Sequence, residues 1–398
     1  MRIAMLTWEF PPRIAGGMGR HVADLAPALA AQKAEVHVIT PVDRPDQASV
    51  TSENCVTVHR VYAQALNDIE NIYAQARQVN QTLDTYLREQ ANRFGPFHLL
   101  HTHDWLTGFA AQALQQAWNI PLVVTIHATE RGRNRGFLTG DLQKAIDQAE
   151  QTLTRQAQQV IVCSQFMAQE VQYFFGLPAD RITVIPNGVD IRRLQNGWLP
   201  DELMEFRRQY AAPDEALVFS ISRLVYEKGV HLLVEAAPAI LADQPHTRIV
   251  IAGLGPEYDR LTARARELGL NDRLNFIGYI SDEERNRLFR VANCAVFPSL
   301  YEPFGIVALE AMALGCPLVV SNVGGFSEVV AHEQTGLKIY PDNVESTAWG
   351  VLQALNHPDR VQQYARHARQ IVAQQYSWAR IAAMTIDAYR RVLLPEAI

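Results

Sequence analysis

The sequence lacks paired cysteines and long apolar runs. Its four cysteines, Cys55, Cys163, Cys294 and Cys316, are scattered along the chain with no C-x-x-C pair. That pattern is neither a disulfide framework nor a zinc site, and it is typical of a reducing compartment. No apolar run reaches the roughly 18 residues of a membrane span, and the N-terminal run is too short for a signal peptide. We therefore expect a cytoplasmic protein with no membrane span.

An excess of basic residues is absent as well. Lys and Arg number 36 against 42 Asp and Glu, which gives a formal net charge of −6. This balance argues against general binding to nucleic acid or anionic membranes, although it leaves room for one basic pocket. The 48% of hydrophobic and 20% of charged residues exclude a disordered or fibrous chain. A length of 398 residues predicts two or three domains.

Short apolar runs of strand length recur along the whole chain, with helix-length segments between them. Most runs are apolar throughout rather than alternating, which is typical of parallel strands covered by helices on both faces. The βαβα rhythm predicts the α/β class, and its restart in mid-chain predicts two Rossmann-like halves. The predicted strands span residues 3–6, 36–39, 56–61, 97–101, 122–126, 160–163 and 182–185, then 217–221, 249–252, 274–277, 295–298, 318–320 and 337–339.

The regular pattern loosens near residues 190–215, and we place the domain boundary there. The prediction is an N-terminal domain over 1–195 and a C-terminal domain over 200–375. Ligands of open α/β sheets sit outside the carboxyl ends of the strands. Two such sheets facing each other would leave a cleft lined by loops from both. The residues that follow each predicted strand are therefore the candidates for function.

Three glycines precede the first predicted helix. Gly16, Gly17 and Gly19 would let backbone N–H groups approach an anion at the positive end of the helix dipole. The dinucleotide fingerprint is incomplete, because Val22 stands where its third glycine should be. A tight strand-to-helix turn is the plain alternative.

Histidines stand at the ends of two predicted strands in the first half. His101 and His103 would share one face of a strand, and with Asp104 they could suggest a metal site. No third ligand is visible nearby, so we predict no metal and interpret Asp104 as part of a polar loop bordering the cleft. His127 directly follows the strand over 122–126, a position that fits a functional side chain or a hydrogen-bonded structural histidine.

The second half carries a basic pair after its first predicted strand. Arg223 and Lys228 lie five positions apart and lead into a helix. A guanidinium fork and an ammonium at a helix N-terminus suit a diphosphate. Two positive charges can neutralise a leaving group that would otherwise need Mg²⁺. The sequence also has no D-x-D pair, the usual carboxylate holder for a metal–nucleotide complex.

Two glutamates follow further along the chain. Pro303 and Gly305 mark a loop turning into a helix, so Glu302 would lie in the loop and Glu310 inside the helix. Apolar residues surround Glu310 throughout 306–314. A carboxylate is costly to bury unless it accepts hydrogen bonds, and ribose hydroxyls would supply them. A solvent-facing position on the helix is the alternative.

Together these residues resemble a known family. Arg223 and Lys228, followed by the spacing Glu302-x7-Glu310, resemble the signature of retaining glycosyltransferases of family 4. The resemblance implies the GT-B fold, with two Rossmann-like domains facing across a cleft and a C-terminal helix, within 376–398, that crosses back to the first domain. It covers essentially the whole chain, with further matches at Gly16-Gly17, His127, 185–190, 253–256 and 376–378.

The resemblance also implies a role for each matching residue. The basic pair would hold the diphosphate of a nucleotide-sugar, and the second glutamate would take the ribose hydroxyls. The first glutamate would contact hydroxyls of the transferred sugar, and the histidine would lie near its 6-hydroxyl. The expected catalytic residues are Arg223, Lys228, Glu302 and His127. The expected substrate-binding residues are Gly16, Gly17, Asp104, Gly253, Gly255, Gly278, Tyr279, Ile280, Phe304, Gly305, Ile306, Val307 and Glu310.

The family resemblance extends to the mechanism. Retention of configuration usually needs a carboxylate nucleophile, and no residue here fills that role. The family is thought to react by same-face internal return, in which the leaving phosphate oxygen deprotonates the acceptor. Catalysis would then rest on positioning and on charge stabilisation. We expect UDP- or ADP-glucose as the donor, a carbohydrate or other hydroxyl as the acceptor, and neither a cofactor nor a metal.

This chain resembles one branch of the family more than the others. The runs 8–12 and 101–105 resemble the glycogen and starch synthases, which would imply α-glucan elongation. The bacterial synthases carry Lys-x-Gly-Gly at the first glycine turn, whereas Ile14 stands at the lysine position here. Two further alternatives share the fold: a UDP-sugar 2-epimerase, for which no acid/base carboxylate set is evident, and a non-catalytic sugar-nucleotide sensor.

Overall fold

The computed structural model describes residues 1–14, 16–194 and 197–394, without the side chain of Asn92. These residues form two compact units. One comprises Met1–Gly188 together with the C-terminal segment from Trp378, and the other comprises Val189–Ser377. Of the predicted domain bounds, residue 195 and residues 395–398 lie outside the described residues.

The first unit is built on an eight-stranded sheet. Its strands are β1 (Arg2–Leu6), β2 (Glu35–Val42), β3 (Ser49–Glu53), β4 (Val56–Tyr62), β5 (Leu99–His103), β6 (Leu122–Ile126), β7 (Gln159–Val162) and β8 (Ile182–Val184). They lie in the order β3-β4-β2-β1-β5-β6-β7-β8. Neighbouring strands run parallel except β3 and β4, which are antiparallel.

Helices connect the parallel strands of this sheet. Local signals set several of their ends, because the side chains of Asn71 and Ser164 accept backbone N–H groups in the first turns of two helices. Gly176 ends the second of these in the left-handed conformation. The helices are α1 (Gly17–Ala31), α2 (Ala65–Asp68), α3 (Ile72–Phe94), α4 (Gly108–Trp118), α5 (Glu130–Arg133), α6 (Asp141–Gln156) and α7 (Gln165–Phe175).

The second unit is built on a six-stranded sheet whose neighbouring strands all run parallel. Its strands are β9 (Ala216–Ile221), β10 (Thr247–Ala252), β11 (Leu274–Gly278), β12 (Cys294–Phe297), β13 (Leu318–Ser321) and β14 (Leu337–Ile339). They lie in the order β11-β10-β9-β12-β13-β14. The chain reverses direction of winding between β9 and β12, which is the switch point where ligands bind in such sheets.

The helices of the second unit cover its sheet. Their apolar side chains pack with those of the strands in one core that includes Val218, Leu233 and Val351. The helices are α8 (Ile191–Leu194), α9 (Pro200–Arg207), α10 (Val230–Asp243), α11 (Tyr258–Glu267), α12 (Asp282–Val291), α13 (Ile306–Leu314), α14 (Phe326–Val329), α15 (Val344–Asn356) and α16 (Pro358–Gln375).

The C-terminal helix α17 (Trp378–Leu393) belongs to the first unit. Its side chains of Ile381, Ile386 and Tyr389 are buried in the core of that unit, and the helix packs against α1. The Tyr389 hydroxyl lies 2.6 Å from His101 Nδ1 in β5. The last helix therefore completes the first unit, in agreement with the predicted fold class.

The helices are either short or polar. α13 is apolar apart from one glutamate but has only 9 residues. α3 has 23 residues, many of them polar. Among the described residues, no helix combines the length and the apolar character that crossing a membrane requires.

The α/β class with two parallel-sheet, Rossmann-like halves is confirmed. Two local predictions were wrong. β3 was not predicted, because its residues alternate between half-buried and exposed and form no apolar run. The strand predicted over 97–101 begins at Leu99 and ends at His103, so that Asp104 follows its end directly.

Candidate functional site

The candidate residues of the second unit lie on loops at one edge of its sheet. Parallel strands all end at the same edge, and ligands of such sheets bind there. The structure thus brings those predicted donor-contacting residues that belong to the second unit to one loop cluster, whereas Gly16, Gly17, Asp104 and His127 belong to the first unit. Arg223 and Lys228 follow β9, Gly253 and Gly255 follow β10, Gly278, Tyr279 and Ile280 end or follow β11, and Glu302, Phe304 and Gly305 follow β12.

A glycine allows three of these loops to approach closely. Gly253 has φ +127°, and a Cβ atom there would collide with the carbonyl oxygen of Ser222. The Gly253 N–H donates to the Gly278 carbonyl at 2.7 Å, and the Leu224 N–H donates to the Leu254 carbonyl at 2.8 Å. Only glycine combines this backbone conformation with so close an approach. These backbone hydrogen bonds therefore join the loops after β9, β10 and β11 into one continuous surface.

Lys228 and Glu302 form an ion pair. The Lys228 Nζ atom lies 2.8 Å from Glu302 Oε2, and the two side chains are 20% and 10% exposed. The Ser299 hydroxyl donates to the same oxygen at 3.4 Å. The backbone fixes the two loops together, because the Leu300 N–H donates to the Glu227 carbonyl at 2.8 Å. This places a largely desolvated lysine where a phosphate could compete with Glu302 for it.

Glu310 is buried within α13 at 6% exposure, so the solvent-facing alternative is wrong. Its partner is Arg285 of α12, whose Nη2 atom lies 3.2 Å from Glu310 Oε1. Arg285 Nη2 also donates to Asn286 Oδ1 at 2.9 Å. Sequence reasoning missed Arg285, because nothing in the spacing of α12 indicates that this arginine turns inward.

The loop that carries Glu302 leads directly into the first turn of α13. Gly305 precedes the helix with φ +98° and supplies no side-chain cap. The N–H groups of Ile306 and Val307 are among those that an α-helix leaves without an intrahelical acceptor. With the positive end of the helix dipole they can bind an anion.

In the first unit, a carboxylate of the protein lies at the glycine turn that was predicted to bind an anion. Gly16 caps α1 in an extended conformation, and its N–H donates to Glu9 Oε2 at 3.0 Å. Gly17 is the first residue of α1. A negative charge here interacts favourably with the helix dipole. The Gly16 N–H is therefore engaged by Glu9, a residue that sequence reasoning did not single out.

Asp104 and His127 are in direct contact. Asp104 has φ +57°, and its Oδ1 atom accepts the backbone N–H of His127 at 2.7 Å. His103 Nδ1 lies 3.1 Å from His127 Nε2. The carboxyl ends of β5 and β6 thus carry a polar cluster at the sheet edge.

Burial controls the protonation of this cluster. It lowers the pKa of His127 to about 3, and the charge of Arg133 acts in the same direction. Burial raises the pKa of Asp104 to about 6, although the Arg133 charge and the N–H groups of His127 and Ala128 oppose that shift. Burial also lowers the pKa of His103 well below 6.5. These imidazoles are therefore neutral near pH 7.

The metal site considered from the sequence does not form from His101, His103 and Asp104. Both ring nitrogens of His101 have partners, since Nδ1 lies 2.6 Å from the Tyr389 hydroxyl and Nε2 lies 2.8 Å from the Thr125 hydroxyl. Asp104 holds the backbone of His127 instead. This combination of three residues is therefore not a ligand set.

Two protein families match the chain, one in each half. The family described as Glycosyltransferase Family 4 matches residues 15–193, and the family described as Glycosyl transferases group 1 matches residues 204–371. An uncharacterised glycosyltransferase of Methanocaldococcus jannaschii is 36% identical over 98% of this chain and 98% of its own length. A glycogen synthase of Mycobacterium tuberculosis is 36% identical over 98% of this chain and 94% of its own length.

Solved structures share the fold over nearly the full length. Sucrose-phosphate synthase from Thermosynechococcus elongatus has a TM-score of 0.85 at 25% identity and covers 98% of each chain. The Anabaena protein HepE, in complex with UDP-glucose, has a TM-score of 0.78 at 21% identity and covers 98% of this chain and 100% of its own. The similarity to known proteins therefore spans both units.

Proposed function

This chain belongs to the GT-B glycosyltransferases of family 4, and from that premise we propose that it transfers glucose from UDP- or ADP-glucose to a hydroxyl acceptor. The proposed reaction retains the configuration of the sugar and needs no metal ion. The acceptor is a carbohydrate or another molecule with a free hydroxyl.

The observation that carries this proposal is the Lys228–Glu302 pair beside the first turn of α13. An ammonium and a helix N-terminus at the same loop cluster form a binding site for the diphosphate of the donor. We assign Arg223, which is exposed in the loop after β9, as the second cation. When the diphosphate takes Lys228, Glu302 is released to accept hydrogen bonds from hydroxyls of the transferred sugar.

We assign the nucleoside to the neighbouring part of the cluster. Glu310 would accept the ribose hydroxyls, with Arg285 fixing the orientation of its carboxylate at 3.2 Å. The loops 253–255 and 278–280 would border the base. We assign His127, with Asp104 holding its backbone, to a hydroxyl of the sugar.

The proposed chemistry is a same-face substitution at the anomeric carbon. The bond from that carbon to the diphosphate oxygen breaks, and a bond to the acceptor oxygen forms. The acceptor proton passes to the departing phosphate oxygen, so no carboxylate nucleophile is needed. Lys228 and the N–H groups of α13 stabilise the charge that develops on the diphosphate, which is where preorganised donors lower the barrier most.

The relatives support a glucosyl donor. A glycogen synthase is 36% identical, and the solved HepE structure contains UDP-glucose. The glycogen synthase also favours a second candidate function, which is α-glucan elongation from a glucan primer. Membership of the family favours transfer over the 2-epimerase and sensor alternatives.

A donor screen tests the proposal. The full chain is incubated in EDTA with UDP-, ADP- or GDP-glucose, with and without glycogen or maltooligosaccharides, and the released nucleoside diphosphate is measured. We expect turnover of UDP- or ADP-glucose in EDTA, and extension of the glucan if the second candidate is correct. A strict need for Mg²⁺, or epimerised donor without acceptor, would contradict the proposal.

A further inference from the structure

Three histidines of the first unit converge, although they are distant in sequence. His21 lies on α1, His103 ends β5, and His127 follows β6. One ligand nitrogen of each lies within 4.8 Å of the other two. The rings of His21 and His127 are 4.8 Å apart between centroids, and those of His21 and His103 are 5.4 Å apart. His21 is the third ligand that was not visible in the sequence around His103.

Two nitrogens of this cluster are buried without a partner. The Nε2 atoms of His21 and His103 make no hydrogen bond, although the residues are only 4% and 0% exposed. A buried polar atom that lacks a partner is costly, and its presence calls for a ligand or another role. Two such imidazole nitrogens beside a third histidine form an unusual concentration of metal-ligating atoms.

A hydrogen bond to Asn187 fixes the tautomer of His21. His21 Nδ1 lies 2.6 Å from Asn187 Oδ1, which can only accept, so Nδ1 carries the proton and Nε2 carries the free lone pair. A metal-bound histidine almost always donates its other ring N–H to such an oxygen. Asn187 therefore holds His21 in the tautomer that a metal ligand needs.

His103 and His127 supply the rest of the set. When His103 Nδ1 donates to His127 Nε2 across their 3.1 Å contact, His103 Nε2 also carries a free lone pair. His127 becomes a third ligand by turning from His103 toward the ion. Tetrahedral Zn–N bonds of about 2.0–2.1 Å place the nitrogens about 3.3 Å apart, so separations of up to 4.8 Å must close by up to about 1.5 Å, a distance within the reach of side-chain rotation. The ion can enter past His127, which is only half-buried.

We propose that His21, His103 and His127 form a site for one divalent transition-metal ion, with Zn²⁺ the expected occupant, and that its occupation inhibits sugar transfer. Neutral imidazoles suit Zn²⁺, and three histidines with an open fourth position are a known ligand number for it. The inhibition rests on the proposed function, since it follows from the withdrawal of His127 from the sugar. The metal is an inhibitor, so this site agrees with catalysis in EDTA.

A Co²⁺ titration of the full chain tests the site without any substrate. The chain is stripped with EDTA, desalted and titrated with Co²⁺ alone, and binding is followed by visible d–d absorption. We expect one Co²⁺ per chain, with the dissociation constant raised at least tenfold in His21→Gln and in His103→Gln. The matched control His357→Gln, in an exposed residue, should bind as the unmodified chain does. Absence of binding by the unmodified chain, or binding by both site variants as tight as that of the unmodified chain, overturns the site.

Two further measurements keep the test decisive if a site variant does not fold. X-ray absorption at the cobalt edge of the unmodified chain should show imidazole nitrogen ligands, and a shell of water oxygens alone would overturn the site. Asn187→Ala, which leaves all three ligands in place, should weaken Co²⁺ binding by about 10–100-fold. Unchanged affinity in that variant would overturn the role of Asn187.

Inhibition is measured separately from binding. Stoichiometric Zn²⁺ should lower donor turnover at least tenfold in the unmodified chain and in His357→Gln. It should leave the turnover of His21→Gln at its own metal-free rate. Unchanged turnover with Zn²⁺ bound overturns the inhibition. If no donor is turned over at all, the proposed function fails, while the Co²⁺ titration still decides whether the site exists.

Discussion

In the proposed reaction, Lys228 of the Lys228–Glu302 pair serves both binding and catalysis. In the structure the two charges neutralise each other at 2.8 Å in a largely desolvated position. A lysine held this way is already oriented before a phosphate arrives, so less conformational entropy is lost on binding. In the proposed reaction the same lysine then stabilises the charge that develops on the leaving group.

Replacing Lys228 by alanine tests this role. Lys228→Ala should lower kcat by about 10²–10³-fold, the scale of losing one preorganised charge-stabilising group. Steady-state release of the nucleoside diphosphate is the measurement. Lys144→Ala is the matched control, because the Lys144 side chain is 60% exposed on α6. Near-normal turnover in Lys228→Ala would contradict the assignment of the diphosphate to this residue.

Replacing Arg285 by methionine tests the buried pair with Glu310. The two side chains are 7% and 8% exposed, so Arg285→Met leaves an uncompensated buried carboxylate. We expect the free energy of unfolding to fall by about 3–5 kcal/mol. Arg260→Met, which breaks a surface pair of a side chain that is 57% exposed, should cost at most about 1 kcal/mol. The free energies of unfolding are measured by urea unfolding. Equal losses in the two variants would show that the buried pair contributes no more to stability than the surface pair.

The pH dependence of stability has a clear source at His59 in β4. Burial lowers the pKa of His59 to about 4, and the charges of His37 and Arg93 act in the same direction. His59 is also packed by Phe94, and its Nδ1 lies 2.9 Å from the Tyr86 hydroxyl. Because the folded pKa lies below the ordinary value, the contribution is complete above pH 6.5 and is lost as the pH falls toward 4.

The expected loss is measurable between pH 7 and pH 5. The first unit should lose about 2 kcal/mol of unfolding free energy from His59 over this range, and His59→Gln should remove that part of the slope. Urea unfolding at the two pH values is the measurement, with His357→Gln as the control. A slope that is the same in His59→Gln and in the unmodified chain would be the contrary result.

At the level of single residues, spacing predicted some positions and missed others for a physical reason. Glu302 and Glu310 could be found because both follow from one local motif. Arg285 lies 25 positions before Glu310 and meets it only through the packing of α12 on α13. Glu9 likewise reaches the Gly16 N–H through the folding of its loop. Contacts made by tertiary packing leave no local signal in a single sequence.

At the level of elements, the two sheets could be predicted because parallel strands are apolar on both faces. β3 alternates between half-buried and exposed residues at a sheet edge, so the same criterion does not detect it. The loops after the strands carry the residues of the proposed donor site, and their mutual approach depends on backbone contacts such as that of Gly253 with Ser222. The sequence predicts a turn there but not which loop it meets.

Replacing Gly253 by alanine tests the joining of these loops. The new Cβ atom would collide with the Ser222 carbonyl, so the loop after β10 must move. We expect KM for the donor to rise about tenfold or more, because the surface assigned to the base is displaced. Gly269→Ala is the matched control, since Gly269 also has a positive φ of +68° but no atom within 4 Å of the added Cβ. Equal donor KM values in the two variants would contradict the prediction.

At the level of the whole molecule, the chain begins and ends in the same unit. α17 buries Tyr389 at 0% exposure against β5 and α1, so residues nearly 290 positions apart stabilise one core. The apolar pattern of this helix is visible in the sequence. Its assignment to the first unit came from the family resemblance, because periodicity alone does not say which core a helix joins.

The proposed function requires that the chain transfer a sugar with retention and without a metal. Proton NMR of the product formed from α-linked UDP- or ADP-glucose in EDTA tests it most directly, since the anomeric coupling distinguishes α from β linkage. We expect an α-linked product whose formation matches the release of nucleoside diphosphate. A β-linked product, or transfer only after Mg²⁺ is restored, would contradict it.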